Sequence, residues 1–280
     1  MKRLLSLLRT WLLAVSVFLF LGYMPVSAQY YMNVFTKNGE TVQFEVAELD
    51  NVSFTSTEVP SYEYVDLGLS VNWATFNVGA TKPEEYGDYF AWGETEPYYE
   101  AGYAQEDPQA HWKDGKSDGY NWFNYKWFNG TYDSLTKYYN TRSDSGTVDN
   151  KTVLDPEDDV AHVLWGGSWR MPTAEEQEEL RNNCTWTWYD SGNTEFNGVA
   201  GYKVTSNKDG YTDRSIFLPA AGYRYDTGLY FGGSNGGYGS SSLSTDDPIC
   251  AYILYFDSGR RITNVNGVRF YGFSVRPVLP

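Results

Sequence analysis

Cysteine, histidine and long apolar runs are scarce in this chain, and each shortage removes a class of function. The 280 residues hold two cysteines, Cys184 and Cys250, and two histidines, His111 and His162. No Cys-x-x-Cys pair and no His/Cys cluster exists, so a structural zinc site has no support. Two cysteines allow at most one bridge, which is no disulfide-dense scaffold; whether Cys184 and Cys250 pair stays open. Neither histidine lies beside a nucleophile in a recognisable motif. There is also no Gly-x-Ser-x-Gly elbow, and no phosphate-binding glycine loop ending in Lys-Ser/Thr. With 36 acidic residues some carboxylate pair always resembles a glycosidase site, so such a pair carries no information by itself. The expectation is therefore a protein that is not an enzyme, with no catalytic residue, no cofactor and no metal. A net charge of −15 repels nucleic acid and anionic lipid alike, which excludes both as partners.

The first residues read as an address. Lys2, Arg3 and Arg9 form a basic region, Trp11–Gly22 an apolar stretch, and Val26-Ser27-Ala28 a small-residue cleavage site, which predicts a signal peptide over 1–28. Its apolar stretch is shorter than the roughly 20 residues that span a bilayer, and no later run approaches that length. The expectation is export to the periplasm, cell surface or extracellular space, with no membrane span after cleavage. Cleavage removes three basic residues and no acidic ones, taking the charge from −15 to −18.

A further absence is local. Residues 29–208 contain forty-two Lys, Glu, Gln, Met and Trp, whereas 209–280 contain none, where about seventeen would occur at the same rate. All positive charge there is arginine: Arg214, Arg224, Arg260, Arg261, Arg269 and Arg276. Strand and turn segments use less Lys, Glu, Gln and Met, but that preference does not remove Trp. What remains is Tyr, Asn, Ser, Gly and Arg, the palette of adaptable recognition loops.

Among what is present, the clearest element starts at Thr173. Thr173 and Glu176 form a capping box, with Pro172 just before it and Glu175 and Glu176 in the first turn. The helix is predicted to run from Ala174 to Arg181 and stop at Asn182-Asn183, with Trp165 and Trp169 supplying apolar surface underneath. A second, shorter helix opens at Asp155-Pro156-Glu157-Asp158-Asp159, with Asp155 as its cap; this acidic run reads as capping ahead of calcium binding.

The remaining chain reads as strands and turns. Alternating Tyr31–Phe35 and Thr41–Glu45 flank Asn38-Gly39, and Val52–Phe54 follows, predicting a β-hairpin or meander over 29–58 and a linker at 59–61. A larger domain then covers 62–280. Its strands are expected at Tyr62–Leu69, Val71–Val78, Tyr86–Trp92, Thr185–Tyr189, Ala200–Ser206, Ser215–Leu218, Ile249–Phe256 and Phe270–Val278. Residues 95–150 are an aromatic-rich ordered loop region, Gly228–Ser242 is dense in Gly, Ser and aromatics, and Asp257–Arg269 is a polar hairpin region. The class is α+β, with short antiparallel sheets, two helices and a core of Tyr, Trp and Phe.

Five blocks carry a family resemblance: VDLGLSVNWATFNVGA (Val65–Ala80), YGDYFAWGE (Tyr86–Glu94), WGGSWRMPTAEE (Trp165–Glu176), SIFLPAAGYR (Ser215–Arg224) and YGFSVRPV (Tyr271–Val278). They resemble the bacterial Fibrobacter-type major paralogous domain, related to the formylglycine-generating-enzyme-like branch of the C-type lectin fold. The resemblance covers about 62–280. It implies a C-type lectin-like domain whose first and last strands pair, here about Glu63–Val65 with Ser274–Val278, with helices on one side and long loops on the other.

Neither of the family's best-known activities transfers. Formylglycine-generating enzymes use paired active-site cysteines, which Cys184 and Cys250 do not match. Calcium-dependent sugar binding needs Glu-Pro-Asn or Gln-Pro-Asp and Trp-Asn-Asp, whereas only Glu96-Pro97-Tyr98 and Asp107-Pro108-Gln109 come near. Some relatives are variable proteins of diversity-generating retroelements, which randomise adenine-containing codons late in this fold. Ile249, Cys250, Ile253, Arg260, Arg261, Ile262, Thr263, Asn264, Asn266 and Arg269 suit such randomised codons.

The resulting expectation is an exported ligand-binding or adhesion protein. Its face is formed by the C-terminal loops over about 230–271, with Tyr230, Phe231, Tyr238, Ile249, Tyr252, Arg260, Arg261, Thr263, Asn264, Asn266 and Arg269 as the binding residues. The ligand is a protein or glycan on another cell, phage or host surface. A structural subunit of a surface fibre is the alternative reading, and a secreted enzyme of the formylglycine-generating-enzyme-like fold comes after it.

Overall fold

The computed structural model of the protein describes residues 31–35, 41–45, 62–103, 111–130, 135–139 and 148–280. Contacts divide the chain into two units, Met1–Val59 and Pro60–Pro280. In the first, β1 (Tyr31–Phe35) and β2 (Thr41–Glu45) pair antiparallel, with Phe35 opposite Thr41. The leader, the Val52–Phe54 run and the linker at 59–61 lie outside the described residues.

The second unit is α+β, with several small antiparallel sheets and two α-helices among the described residues. Its first sheet joins β3 (Tyr64–Val65), β4 (Asn72–Ala74) and β13 (Val278–Leu279), in the order β13-β4-β3. The expected direct pairing of Glu63–Val65 with Ser274–Val278 does not occur. Both ends join this sheet, but β4 lies between them: Trp73 pairs with Val278 on one side and with Val65 on the other.

These strands are also shorter than the alternation predicts, because side chains take over carbonyls that a ladder would use. The buried Arg276 fork donates from Nη1 to the carbonyls of Ala74 (3.1 Å) and Thr75 (2.9 Å). It donates from Nη2 to Phe217 O (2.8 Å) and from Nε to Asn77 Oδ1 (2.8 Å). Burial lowers its pKa to about 10. Of the expected Tyr86–Trp92 strand, one bridge remains, Phe90 to Phe273.

Helix α1 (Val160–Trp165) is capped by Asp159, whose Oδ1 accepts from the backbone N–H of Ala161 and His162. Asp155, the expected cap, makes no capping hydrogen bond and instead holds Lys137 and Lys151. Helix α2 (Ala174–Asn183) starts at the Thr173–Glu176 capping box, as its spacing predicts, and runs one turn's fraction further than Arg181. Trp165 and Trp169 pack on Tyr62, at the start of the second unit: Trp165 stacks on it at 3.8 Å between ring centroids, and Trp169 meets it edge-on at 6.4 Å.

Strands β5 (Cys184–Tyr189), β6 (Gly201–Ser206) and β7 (Ser215–Pro219) form a meander in order. A short hairpin follows, β8 (Tyr223–Tyr225) and β9 (Gly228–Tyr230). The last sheet is β10 (Asn235–Leu243), β11 (Cys250–Asp257) and β12 (Arg260–Val268), in that order.

Strand β10 corrects the reading of the Gly/Ser-rich segment as adaptable loop. It is a nine-residue strand, buried from Gly236 onward. Its small residues are there because large ones oppose them: a Cβ on Gly236 would lie 2.1 Å from the Phe256 ring.

Two cores result. One is aromatic, built from residues such as Tyr89, Trp92, Tyr99, Tyr120, Tyr125 and Trp127. The other joins Leu180 of α2 to Val204, Leu218, Tyr238, Leu254 and Phe256. Cys184 and Cys250 are buried and free, and burial pushes each thiol up to about 11. Among the described residues, no helix is long and apolar enough to cross a membrane.

Candidate recognition face

The β8–β9 hairpin presents one side of its alternation outward. Arg224 points into the core while Tyr223 and Tyr225 stay half-exposed on either side of it. Tyr223 pairs across the hairpin with Tyr230, their rings near-parallel at 5.8 Å. Tyr271 stacks on Tyr223 at 5.4 Å with a 2° interplanar angle and meets Tyr225 at 5.1 Å. Phe231 closes the group, 5.9 Å from Tyr223. Tyr230 is 41% exposed and Phe231 is 54% exposed.

Phe231 adopts φ +59°, an uncommon state for a bulky residue. The backbone N–H groups of Ser234 and Asn235 donate to its carbonyl at 3.0 Å each, as does the Ser234 hydroxyl. This turn holds the ring outward. Burial, then the neighbouring Tyr223, Tyr225 and Asp226, raises the Tyr271 phenol above its usual range. The Tyr271 phenol therefore stays protonated near neutrality and can donate a hydrogen bond.

The β11–β12 hairpin adds to the same surface on one of its faces. Tyr255 lies opposite Gly237 on β10 and Ile262 on β12, so these residues share a side. Phe273 sits against Gly237 on that side and meets Tyr223 at 6.0 Å. Tyr255 is tied down by Asn235, whose Nδ2 donates to its hydroxyl at 2.7 Å. Arg260 lies 5.9 Å from the Tyr255 ring and pairs with Asp257 at 2.7 Å.

The structure therefore divides the expected site. Tyr230, Phe231 and Arg260 belong to this surface. Arg261 lies opposite Phe256, across the sheet, where its Nη1 donates to Tyr202 Oη at 3.2 Å. Tyr252 and Asn266 are paired on that same far side, and the Tyr252 hydroxyl is held by Thr245 at 2.8 Å. Asn264 is exposed at φ +57°, in the bulge of β12, and Ile249 is half-buried before β11.

Three expected residues are interior. Tyr238 is 1% exposed and donates to Pro219 O at 2.8 Å, and Thr263 is 9% exposed. Arg269 is 0% exposed. Its Nε donates to Tyr125 Oη (2.9 Å), Nη1 to Tyr138 O (3.1 Å) and Pro248 O (3.2 Å), and Nη2 to Lys137 O (3.1 Å). The guanidinium also lies 4.7 Å from the Trp92 ring. Four hydrogen bonds from one planar fork make this junction, which lysine cannot copy. Half of the tail's arginines, Arg224, Arg269 and Arg276, are thus structural.

Conversely, Tyr223 and Tyr225 lie outside the expected 230–271 segment, while Tyr255, Ile262 and Tyr271 lie within it without being named among its face residues. The signal for the first two was the Tyr-Arg-Tyr alternation ahead of the Asp226-Thr227-Gly228 turn.

Around the first two helical turns the charged groups are committed to structure. A cleft of about 270 Å³ is lined by Leu154, Pro156, Asp159, His162, Trp169 and Arg170 among others. Asp159 there accepts from Met171 N (2.8 Å) as well as from the α1 N-terminus, and Arg170 forks onto Glu176. Asp155, Glu157 and Asp158 lie close enough to share a cation. Lysines already serve them: Lys137 reaches Asp155 at 2.8 Å and Asp158 at 2.5 Å, and Lys126 reaches Asp158 at 2.7 Å. Those hydrogen bonds from Lys137 and Lys151 hold the Asp155 carboxyl down at about 2.

No protein-family model matches the chain, and no curated protein or solved structure shows significant similarity to it.

Proposed function

We propose that this is an exported recognition protein of the Fibrobacter-type, C-type-lectin-like kind, binding a macromolecule through Tyr223, Tyr225, Tyr230, Phe231, Tyr255 and Tyr271. The observation that carries this reading is a contiguous set of half-exposed and exposed rings, Tyr223, Tyr225, Tyr230, Phe231 and Tyr271, with neighbouring centroids 5.1–5.9 Å apart. Rings at that spacing touch, so they form a surface with no cavity between them for a small molecule. Large, rigid aromatic side chains give much contact area for little lost entropy, which suits a protein or glycan surface. Export rests on the leader-like residues 1–28.

A glycan and protein array probed with the full exported chain tests this. Binding is expected to fall at least about tenfold, or roughly 1.4 kcal/mol, in a Tyr230→Ala/Phe231→Ala variant that melts like the parent. Undiminished binding by that variant would place the binding face elsewhere.

A further inference from the structure

The ring contacts do not end with the C-terminal segment: they continue through the buried rings of Phe270 and Trp122 to an exposed one. Phe270, beside Tyr271 and Tyr225, meets Trp122 at 4.8 Å, and Trp122 stacks on Phe128 at 5.7 Å. Phe128 meets Phe123 at 5.5 Å. Phe123 is 81% exposed, the most exposed large apolar side chain among the described residues. It sits in a short 3-10 turn, Trp122–Asn124, capped by the Asn121 side chain.

The position of this turn is locked to the β8–β9 hairpin. Tyr120 N donates to Asp226 O at 2.8 Å, and Asp226 N donates back to Tyr120 O at 2.9 Å. A Cβ on Gly119 would lie 2.0 Å from Asp226 O, so only glycine allows this approach. The carboxylate of Asp226 stands exposed at that junction, near enough to Tyr271 to raise its pKa. No ion pair among the described residues includes it.

We propose that the recognition face is composite, with Phe123 and Phe231 as projecting anchors at its two ends. Its partner is a protein offering an apolar groove and a basic side chain set against Asp226. This rests on the reading of the tyrosine group as the binding face.

Charge and chemistry choose among occupants. An anionic membrane meets a chain of net charge −15 with a carboxylate at the centre of the contact. A second copy related by a two-fold axis through the middle of this face, at the Tyr120–Asp226 junction, would set Asp226 against Asp226. A glycan finds no hydrogen-bonding group on either phenylalanine anchor. A protein groove suits projecting phenylalanines, and a lysine or arginine at its rim complements Asp226.

The test is selection of a random twelve-residue peptide library on the full chain, followed by titration of the enriched peptides. Enriched sequences are expected to combine Lys or Arg with aliphatic or aromatic residues. Phe123→Ser is expected to weaken them at least about tenfold, and Asp226→Asn several-fold with loss of salt dependence, both with an unchanged melting temperature. Peptides that depend on Tyr230 and Phe231 but ignore Phe123→Ser would overturn the composite face and leave the proposed function standing. Peptides indifferent to all of these substitutions, or a library yielding none that depends on Phe123, would overturn it as well. Phe123-dependent binding of cellohexaose, of phosphatidylcholine–phosphatidylglycerol vesicles, or of a second copy in sedimentation would overturn the partner class.

Discussion

The interior and the rim of the same 72-residue tail use one set of residues for opposite purposes. Inside, Arg269 and Arg276 gather carbonyls from segments far apart in sequence, and Tyr238 fills the core beneath α2. At the rim, Arg260 pairs locally with Asp257, and Tyr230 and Phe231 face solvent. The difference teaches that a biased palette names the available chemistry and not its address. A guanidinium serves as well for cross-linking loops as for meeting a partner, because its planar fork satisfies several acceptors with one buried group.

The largest expected effect breaks the interior half of that comparison. Arg269→Ala leaves the carbonyls of Lys137, Tyr138 and Pro248 without this donor and opens a void against Trp92. A loss of about 3–5 kcal/mol is expected in chemical denaturation. Arg269→Lys should recover little of it, since an ammonium cannot reproduce the fork. Near-normal stability of either variant would contradict the structural role.

A second test concerns the buried charge beside Arg224. Burial raises the Asp88 carboxyl from its usual 3.8 to about 6, against the smaller opposing effects of Gly102, Lys113, Tyr99 and Arg224. A raised acid pKa means the folded state binds the proton more tightly than the unfolded chain does. Stability contributed by protonation is therefore full below about pH 4 and is lost as pH rises through about 6. Protonation at about 6 instead of 3.8 corresponds to ~3 kcal/mol. Asp88→Asn should flatten the stability profile between pH 4 and 7 by up to that amount. An unchanged profile would show that Asp88 is not the titrating group.

The smallest effect belongs to the rim. Arg260→Ala combined with Arg261→Ala should change stability by about 0.5 kcal/mol or less, because both side chains are exposed. The structure sharpens what each contributes to binding. Arg260 lies on the tyrosine side of the sheet and Arg261 on the other, held by Tyr202. Single substitutions should therefore differ, with Arg260→Ala alone weakening a ligand of this face. Equal effects of the two would show that both faces of the sheet take part.

Local signals carried the sequence reading a long way where neighbours in the chain decide the structure. The capping box at Thr173, the hairpin of β1 and β2, and the β5–β6–β7 meander all follow from residues within a few positions of one another. Period-two patterning marks a strand, and a capping box satisfies orphan N–H groups over one turn, so both are written locally. What only the tertiary structure decided is which side of a strand meets the core and which carbonyls an arginine reaches. Strand β10 reads as flexible Gly and Ser until Phe256 and Phe273 are placed against it. Arg260 and Arg269 are the same residue on the same hairpin region, yet one lies in solvent and the other under Trp92. The turn that carries Phe123 is tied to the β8–β9 hairpin across about a hundred residues of chain, through backbone bonds between Tyr120 and Asp226. The physical reason is range: hydrogen-bond caps and turns act between neighbours in sequence, whereas burial is a property of whatever segments the packed core brings together.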